Sequence, residues 1–248
     1  MNCYILAAGY GSRLKPITNN IPKCLVPING IPLLHHWLKI LTNDEVFEKI
    51  FINTHYLSNK VEEFIKNYNW NSKVILRYEN NLLGTAGSIK KDIRELENDD
   101  ALILHADNLT FFHLHDYINF HRNRKSNIEI TMMTFKTNNP ENCGTVILSD
   151  SIVIKFNEKD KRSSSNIANG AVYILSKKAL SEIKKLKKPI YDFSMDIIPN
   201  FMNRIQVYHN DIYFRDIGNI ESYKAGNDEF KFIAKHYNLD YFNENNKI

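Results

Sequence analysis

Apolar positions along this chain fall first into short unbroken runs separated by helical stripes. Cys3–Ala8 is nearly continuous in apolar residues, the pattern of a strand buried on both faces. Similar runs occupy Lys49–Asn53, Lys73–Tyr78, Ala101–His105 and Ile128–Phe135. Between them, Val61, Phe64, Ile65 and Tyr68 repeat at i, i+3, i+4, i+7, and Leu114, Tyr117, Ile118 and His121 do the same. That spacing puts each set on one face of a helix. Leu33–Leu41 and Ala86–Leu96 fill the two remaining gaps as helices. Strand–helix alternation of this kind predicts an α/β fold, a largely parallel sheet with helices on both faces.

The pattern changes in the second half. Thr145–Ser149 and Ile152–Asn157 flank Asp150-Ser151 and predict a hairpin. Ala171–Leu175 is a further strand, followed by helices over Lys177–Leu186 and Ser194–Met202. Ile205–Tyr208 and Ile212–Arg215 are short strands before a last helix, with Phe230, Ile233, Ala234 and Tyr237 on one face. The segment Lys159–Ile167, with Arg162 and three serines, has the composition of a mobile loop. The Asn/Lys-rich residues 241–248 have that of a frayed tail.

Composition narrows the picture. The chain has 248 residues, 43% of them hydrophobic, enough for one sizeable core. Residues 1–240 are therefore expected to form one domain. A net charge of +4 suits anionic substrates and is too small and too scattered for a nucleic-acid binder. The densest basic run, Lys184–Lys188, ends a predicted helix and is expected to be solvated. Cys3, Cys24 and Cys143 are odd in number and far apart, which predicts reduced thiols in a cytoplasmic protein. The first apolar run stops at Ala8, unlike a signal peptide, and no run approaches the ~20 apolar residues of a membrane span.

Candidate chemistry begins where the first strand ends, because open α/β sheets bind ligands at the carboxyl ends of their strands. The segment runs Leu6-Ala7-Ala8-Gly9-Tyr10-Gly11-Ser12-Arg13-Leu14-Lys15-Pro16. Small residues let backbone N–H groups approach a phosphate chain or a base edge. Arg13 adds a fork of donors and Lys23 a mobile point charge. A dinucleotide fold would need a third glycine where Leu14 stands, and an acidic residue where Ile52-Asn53-Thr54 end the second strand. A P-loop would need G-x-x-x-x-G-K-[ST], which is absent.

The run LAAGYGSRLKPIT…IPKCLVPINGIPLL resembles the signature G-x-G-x-R-L-x-P-x-T…P-K…P of the sugar-1-phosphate nucleotidyltransferases. Matching landmarks recur near residues 84, 107, 144, 158, 169 and 216, so the resemblance spans nearly the whole chain. It implies a Rossmann-like, mostly parallel mixed sheet with a small antiparallel sugar-binding subdomain. Residues 1–135 would form the nucleotide half and 136–240 the sugar-phosphate half. The reaction it implies is transfer of a nucleotidyl group from an NTP to a sugar 1-phosphate with Mg²⁺, releasing pyrophosphate. The product would serve surface glycan precursor synthesis, such as capsule or lipopolysaccharide.

The resemblance also implies roles. Arg13 and Lys23 would be catalytic, Arg13 on the triphosphate and Lys23 on the phosphates at the reacting centre. Leu6, Ala7, Ala8, Gly9, Gly11 and Ser12 would line the nucleotide with Gly84, Thr85 and Gly87 of LGTAG. Asp107 and Asp216 would hold Mg²⁺, an ion that prefers carboxylate, phosphate and water oxygens. Gly144, Glu158, Lys159, Asn169 and Gly170 would bind the sugar phosphate. LGTAG leans toward GTP. Structural readings compete at three of these residues: Asp107 as cap of a following helix, Asp216 in an Asx-turn before Gly218, and Thr85 as a helix cap. His105-Ala106-Asp107 departs from relatives that carry glycine before the aspartate, and His105 is left without a role.

The chain ends after one predicted helix, so no second activity is expected; the assembly is compatible with a homodimer, without nucleic acid or membrane partners. Rival readings are a CTP-dependent enzyme acting on phosphocholine or another non-sugar phosphate, and a non-catalytic module that binds nucleotide sugars. A glycosyltransferase is disfavoured because Asp107-Asn108-Leu109 lacks the second aspartate of D-x-D.

Overall fold

A computed structural model describes residues 1–160, 163–187 and 191–236. Arg162, Lys188, Tyr237 and the tail 241–248 therefore lie outside the described residues. The strands are β1 (Asn2–Leu6), β2 (Pro27–Ile28), β3 (Ile31–Pro32), β4 (Ile50–Thr54), β5 (Val74–Tyr78), β6 (Ala101–His105) and β7 (Asn108–Phe111). They continue as β8 (Ile130–Lys136), β9 (Gly144–Ser149), β10 (Ile152–Glu158), β11 (Ile167–Leu175), β12 (Ile205–His209) and β13 (Tyr213–Asp216). The α-helices are α1 (Leu33–Thr42), α2 (Ser58–Asn67), α3 (Gly84–Lys91), α4 (Ile93–Leu96), α5 (Leu114–Arg122), α6 (Lys177–Lys185) and α7 (Ile220–His236).

Nine strands form one mixed sheet in the order β5-β4-β1-β6-β11-β8-β12-β10-β9. The first four run parallel, in register from Asn53 through Leu6 to His105. β11 then enters antiparallel between β6 and β8, β12 lies parallel to β8, and the β9–β10 hairpin closes the far edge. The strand at Ile130 is thus not the parallel neighbour of β6 that chain order suggests. Every residue of β4 is buried, as its unbroken apolar run requires. One face packs Leu34, Trp37, Leu38, Leu41, Val61, Ile65 and Tyr117 of α1, α2 and α5. The other packs Ala86, Ile89, Leu180 and Ile183 of α3 and α6. A third apolar cluster joins Leu14, Val26 and Leu33 to Leu109, Phe111, Ile217 and Phe230, and anchors the β7–β13 ribbon.

Local chemistry explains the departures from expectation. Asp150 and Ser151 both take positive φ (47° and 64°), the geometry of a two-residue hairpin turn. The helix expected over Ala86–Leu96 breaks at Asp92, whose carboxylate accepts from Tyr4 Oη at 2.8 Å. The helix expected over Ser194–Met202 is instead a wide turn (Phe193–Ile197) followed by a tight one (Ile198–Phe201), because Pro199 has no N–H to continue an α-helix. Cys3 and Cys24 are buried and Cys143 is half-buried, all three as free thiols. No described helix is long and apolar enough to cross a membrane.

Candidate active site

Asn53, Leu6 and His105 stand side by side at the carboxyl ends of β4, β1 and β6. Residues in register on adjacent parallel strands face the same side, and all three line a cavity of about 250 Å³. Ala8 and Gly9 add one wall; Gly84, Thr85 and Ser88 of α3 add another; Glu79, Leu82 and Asp107 complete it. Asn53 organises the floor. Its Oδ1 accepts from Ala7 N at 2.6 Å, fixing the start of the glycine-rich turn, and its Nδ2 donates to Glu79 Oε1 and Ser88 Oγ, each at 3.0 Å. Glu79 is only 2% exposed, and its Oε2 accepts from Leu83 N at 3.3 Å. His55 Nδ1 donates to Glu79 O at 2.8 Å, a tautomer that leaves Nε2 to accept from Tyr10 Oη at 3.0 Å.

A charged cluster adjoins this cavity. Lys23 Nζ donates to Asp107 Oδ2 and lies 3.9 Å from Asp216 Oδ1. The two aspartates meet because β13 pairs with β7, opposing Asp216 to Asn108, while Ile217 N donates to Asp107 O at 3.0 Å. Arg13 reaches the same place: a methyl group on Gly218 would lie 2.5 Å from Asp216 Oδ2 and 3.3 Å from Arg13 Nη2. Burial works to push the Asp107 carboxyl up, but Lys23 and His105 outweigh it and hold it below the usual carboxylate range. Asp216 is pushed up, by desolvation against its surroundings and by the Asp107 charge, with Lys23 and Arg13 opposing.

Two carboxylates converging on one ammonium form a cation-binding pair made of hard oxygens. No cluster of three or more His, Cys, Asp or Glu side chains suited to a metal occurs among the described residues. The pair fits an ion such as Mg²⁺, which takes one or two carboxylates and completes its shell with phosphate and water oxygens.

Residues 191–193 pack against the start of α3 beside the cavity. Thr85 Oγ1 accepts from Phe193 N at 2.7 Å, and Ala86 N donates to Tyr191 O at 3.0 Å. Gly84 has φ +76°, and a Cβ there would lie 2.1 Å from Tyr191 O, so this contact requires glycine. Thr85 is thus not a helix cap; Leu83 holds that position, and Thr85 fastens α3 to the neighbouring segment. Asp196 accepts from Tyr191 N and Asp192 N at 2.8 and 2.9 Å, and Arg215 pairs with Glu229 of α7 through Nε at 2.9 Å and Nη2. Both residues support the architecture.

On the far side, Gly144 pairs with Glu158 across the β9–β10 hairpin. Glu158 is pushed up by burial; Lys159, 3.8 Å away, opposes the shift, and Asp192 adds to it. Lys159 also lowers the Asp216 carboxyl, so its charge reaches the metal-type pair. Asn169 Nδ2 donates to Tyr173 Oη at 2.6 Å and its Oδ1 accepts from Ala171 N at 3.0 Å, which shapes the irregularity in β11. Gly170 O accepts from Asn108 Nδ2 at 2.9 Å, linking β11 to the residue after Asp107.

Most of the residues expected from sequence gather here. Leu6, Ala8, Gly9, Gly84, Thr85 and Asp107 line the cavity, Ala7 contributes its fixed amide, and Gly11 O accepts from Thr18 Oγ1 at 2.8 Å. Ser12 and Arg13 form a tight turn with Leu14. Gly87 lies inside α3 and adds nothing to the lining. The helix-cap reading of Asp107 fails because a strand, β7, follows it. The Asx-turn reading of Asp216 fails because Gly218 N donates to Ser222 Oγ at 3.1 Å. Sequence reasoning misses Asn53, Glu79, Ser88 and Asp192, although Asn53 and Glu79 stand at strand carboxyl ends, where ligands of this fold class bind.

Comparison with known proteins gives the family and the fold. The chain is 30% identical over 233 residues to the D-glycero-alpha-D-manno-heptose 1-phosphate guanylyltransferase of Aneurinibacillus thermoaerophilus, covering 93% of this chain and 99% of that one. It is 28% identical to the mannose-1-phosphate guanyltransferase of Schizosaccharomyces pombe, over 91% of this chain and 63% of the longer yeast protein. The crystal structure of HddC from Yersinia pseudotuberculosis complexed with GMP-PN superposes with a TM-score of 0.75 at 27% identity, covering 92% of this chain and 99% of that one. The family model described as Nucleotidyl transferase matches residues 3–231, and the chain belongs to that family of enzymes.

Proposed function

We propose that this nucleotidyltransferase moves a guanylyl group from GTP to a sugar 1-phosphate, with Mg²⁺ as cofactor. The observation that carries the reading is the junction of two features: a cavity lined by the buried Glu79 carboxylate, and the Arg13/Lys23/Asp107/Asp216 cluster that meets it at Asp107. Glu79 can accept from the N1–H and 2-amino donors of guanine, a pair that uracil, thymine and cytosine do not offer together. The names of the relatives make heptose and mannose 1-phosphates the first acceptors to try.

In the reaction a phosphate oxygen of the sugar 1-phosphate attacks the α-phosphorus of GTP. The bond from that phosphorus to the bridging oxygen breaks, and pyrophosphate leaves. No protein nucleophile is needed; the chain positions two polyanions and offsets their charge. Arg13 would hold the triphosphate and the departing pyrophosphate, and Lys23 the oxygens at the reacting centre. Asp107 and Asp216 would hold Mg²⁺, which supplies charge neutralisation at the phosphates when bound. Residues 1–135 would serve the nucleotide, and residues 136–240 of the same domain the sugar phosphate through Gly144, Glu158, Lys159, Asn169 and Gly170. We assign the enzyme to cytoplasmic supply of nucleotide sugars for surface glycans.

A matrix of four NTPs against several sugar 1-phosphates, read by pyrophosphate release, tests this. GTP with a heptose or mannose 1-phosphate should give the highest kcat/KM, with activity lost on chelation and restored by Mg²⁺. Asp107→Ala should lower it by about a hundredfold or more. Release of pyrophosphate only from CTP with phosphocholine would overturn the proposal.

A further inference from the structure

One polar group in the cavity is left without a counterpart. His105 lines it from the end of β6, and its imidazole Nε2 is buried with no hydrogen-bond partner among the described residues. Buried polar atoms nearly always have partners, and leaving one unpaired is costly. The surroundings make the exception more pointed. Asn53, in the same row, uses both ends of its amide, and the carboxylate of Glu79 receives two donors.

Position indicates what the missing partner is. The row Asn53–Leu6–His105 crosses two strand spacings, roughly 10 Å, along the cavity floor. Glu79 and Asn53 mark one end, and Asp107, two residues beyond His105, marks the other beside Lys23. A nucleotide with its phosphates at the cation and carboxylate cluster and its base against Glu79 has its ribose in between. That is the stretch of the cavity that His105 lines. The inference rests on the nucleotide orientation proposed above.

We propose that His105 hydrogen-bonds a ribose hydroxyl of the bound nucleotide, and so makes the enzyme select ribonucleotides over deoxyribonucleotides. Aligned hydrogen bonding to a substrate hydroxyl discriminates strongly, because the analogue lacking it leaves the protein group unpaired.

The test compares GTP, 2′-deoxy-GTP and 3′-deoxy-GTP with wild type, His105→Phe and His105→Asn, at saturating sugar 1-phosphate. Wild type should prefer GTP over at least one deoxy analogue by about tenfold. His105→Phe keeps a planar aromatic ring, somewhat larger, without polar atoms; it should lose about tenfold with GTP and bring that ratio close to one. His105→Asn, still able to hydrogen-bond, should keep part of the preference. Dissociation constants for the same nucleotides, measured calorimetrically on each variant that melts cooperatively, read the same ratio without turnover. An unchanged ratio in both variants, or a wild type indifferent to both hydroxyls, would overturn the proposal. So would a loss confined to the KM of the sugar 1-phosphate. If wild type used a different NTP, the base assignment would fail, and the ribo-to-deoxyribo ratio would be read with that nucleotide.

Discussion

Asp100 illustrates how a single residue far from the chemistry can hold stability. It precedes β6, opposite the candidate site, and its carboxylate accepts from His121 Nε2 at 3.0 Å and Lys177 N at 2.9 Å, with Arg124 Nη1 at 3.0 Å. Burial alone would push its carboxyl up, but His121, the Lys177 amide and Arg124 bring it down to about 2. A folded-state value below the unfolded one stabilises the protein at all pH above the unfolded value. The contribution, on the order of 2 kcal/mol, is lost as pH falls from about 4 to about 2. Denaturant titrations of wild type and Asp100→Ala should therefore differ at pH 6 and converge near pH 2; equal stability at pH 6 would contradict this. At this scale the sequence is legible where the chemistry is blunt. Asp107 stands out as a carboxylate at a strand's carboxyl end, and Asp216 through the resemblance of Phe-Arg-Asp-Ile-Gly to the family's motif. Asn53 and Glu79 escape, since an amide in Ile52-Asn53-Thr54 and a glutamate in Tyr78-Glu79-Asn80 look ordinary until three strands align them.

At the scale of elements, periodic helices and unbroken strands are the most legible parts. Val61, Phe64 and Ile65 are buried on α2, and Leu114, Tyr117, Ile118 and His121 on α5. β7 is not legible: Asn-Leu-Thr-Phe is short, and its partner β13 lies about a hundred residues away. The coupling of α3 to residues 191–193 is equally silent in sequence, because it runs through hydrogen bonds between residues more than a hundred positions apart, Phe193 N to Thr85 Oγ1 and Ala86 N to Tyr191 O. It nevertheless has a measurable effect. Thr85→Val keeps the volume but leaves Phe193 N–H without its acceptor, which should cost about 1–3 kcal/mol and lower the melting midpoint by several degrees. Thr85→Ser should melt close to wild type. A Thr85→Val midpoint equal to wild type would show that the tie carries no stability.

For the molecule as a whole, the α/β class follows from alternation of patterns, but strand order does not. The four parallel strands β5-β4-β1-β6 are four of the five runs predicted as a parallel set; the fifth, at Ile128–Phe135, becomes β8 beyond β11. The insertion of β11 between β6 and β8 depends on long-range pairing of Tyr173 with both Ile103 and Met132, which no local pattern encodes. That insertion matters for the proposed function. It brings Gly170 against Asn108, and with it the β9–β10 hairpin that carries Glu158 and Lys159, to the same edge as Asp107.

The distribution of thiols has a practical consequence. Burial pushes Cys3 and Cys24 far up and out of reach, whereas Cys143, also raised by burial, is only half-buried and adjoins Gly144. A maleimide should therefore consume one equivalent of thiol in the native protein and three in denaturant. A fluorophore attached there would sit beside the pocket proposed for the acceptor. The enzyme thus offers a single optical handle, without engineering, for watching that pocket fill while the nucleotide side is left unlabelled.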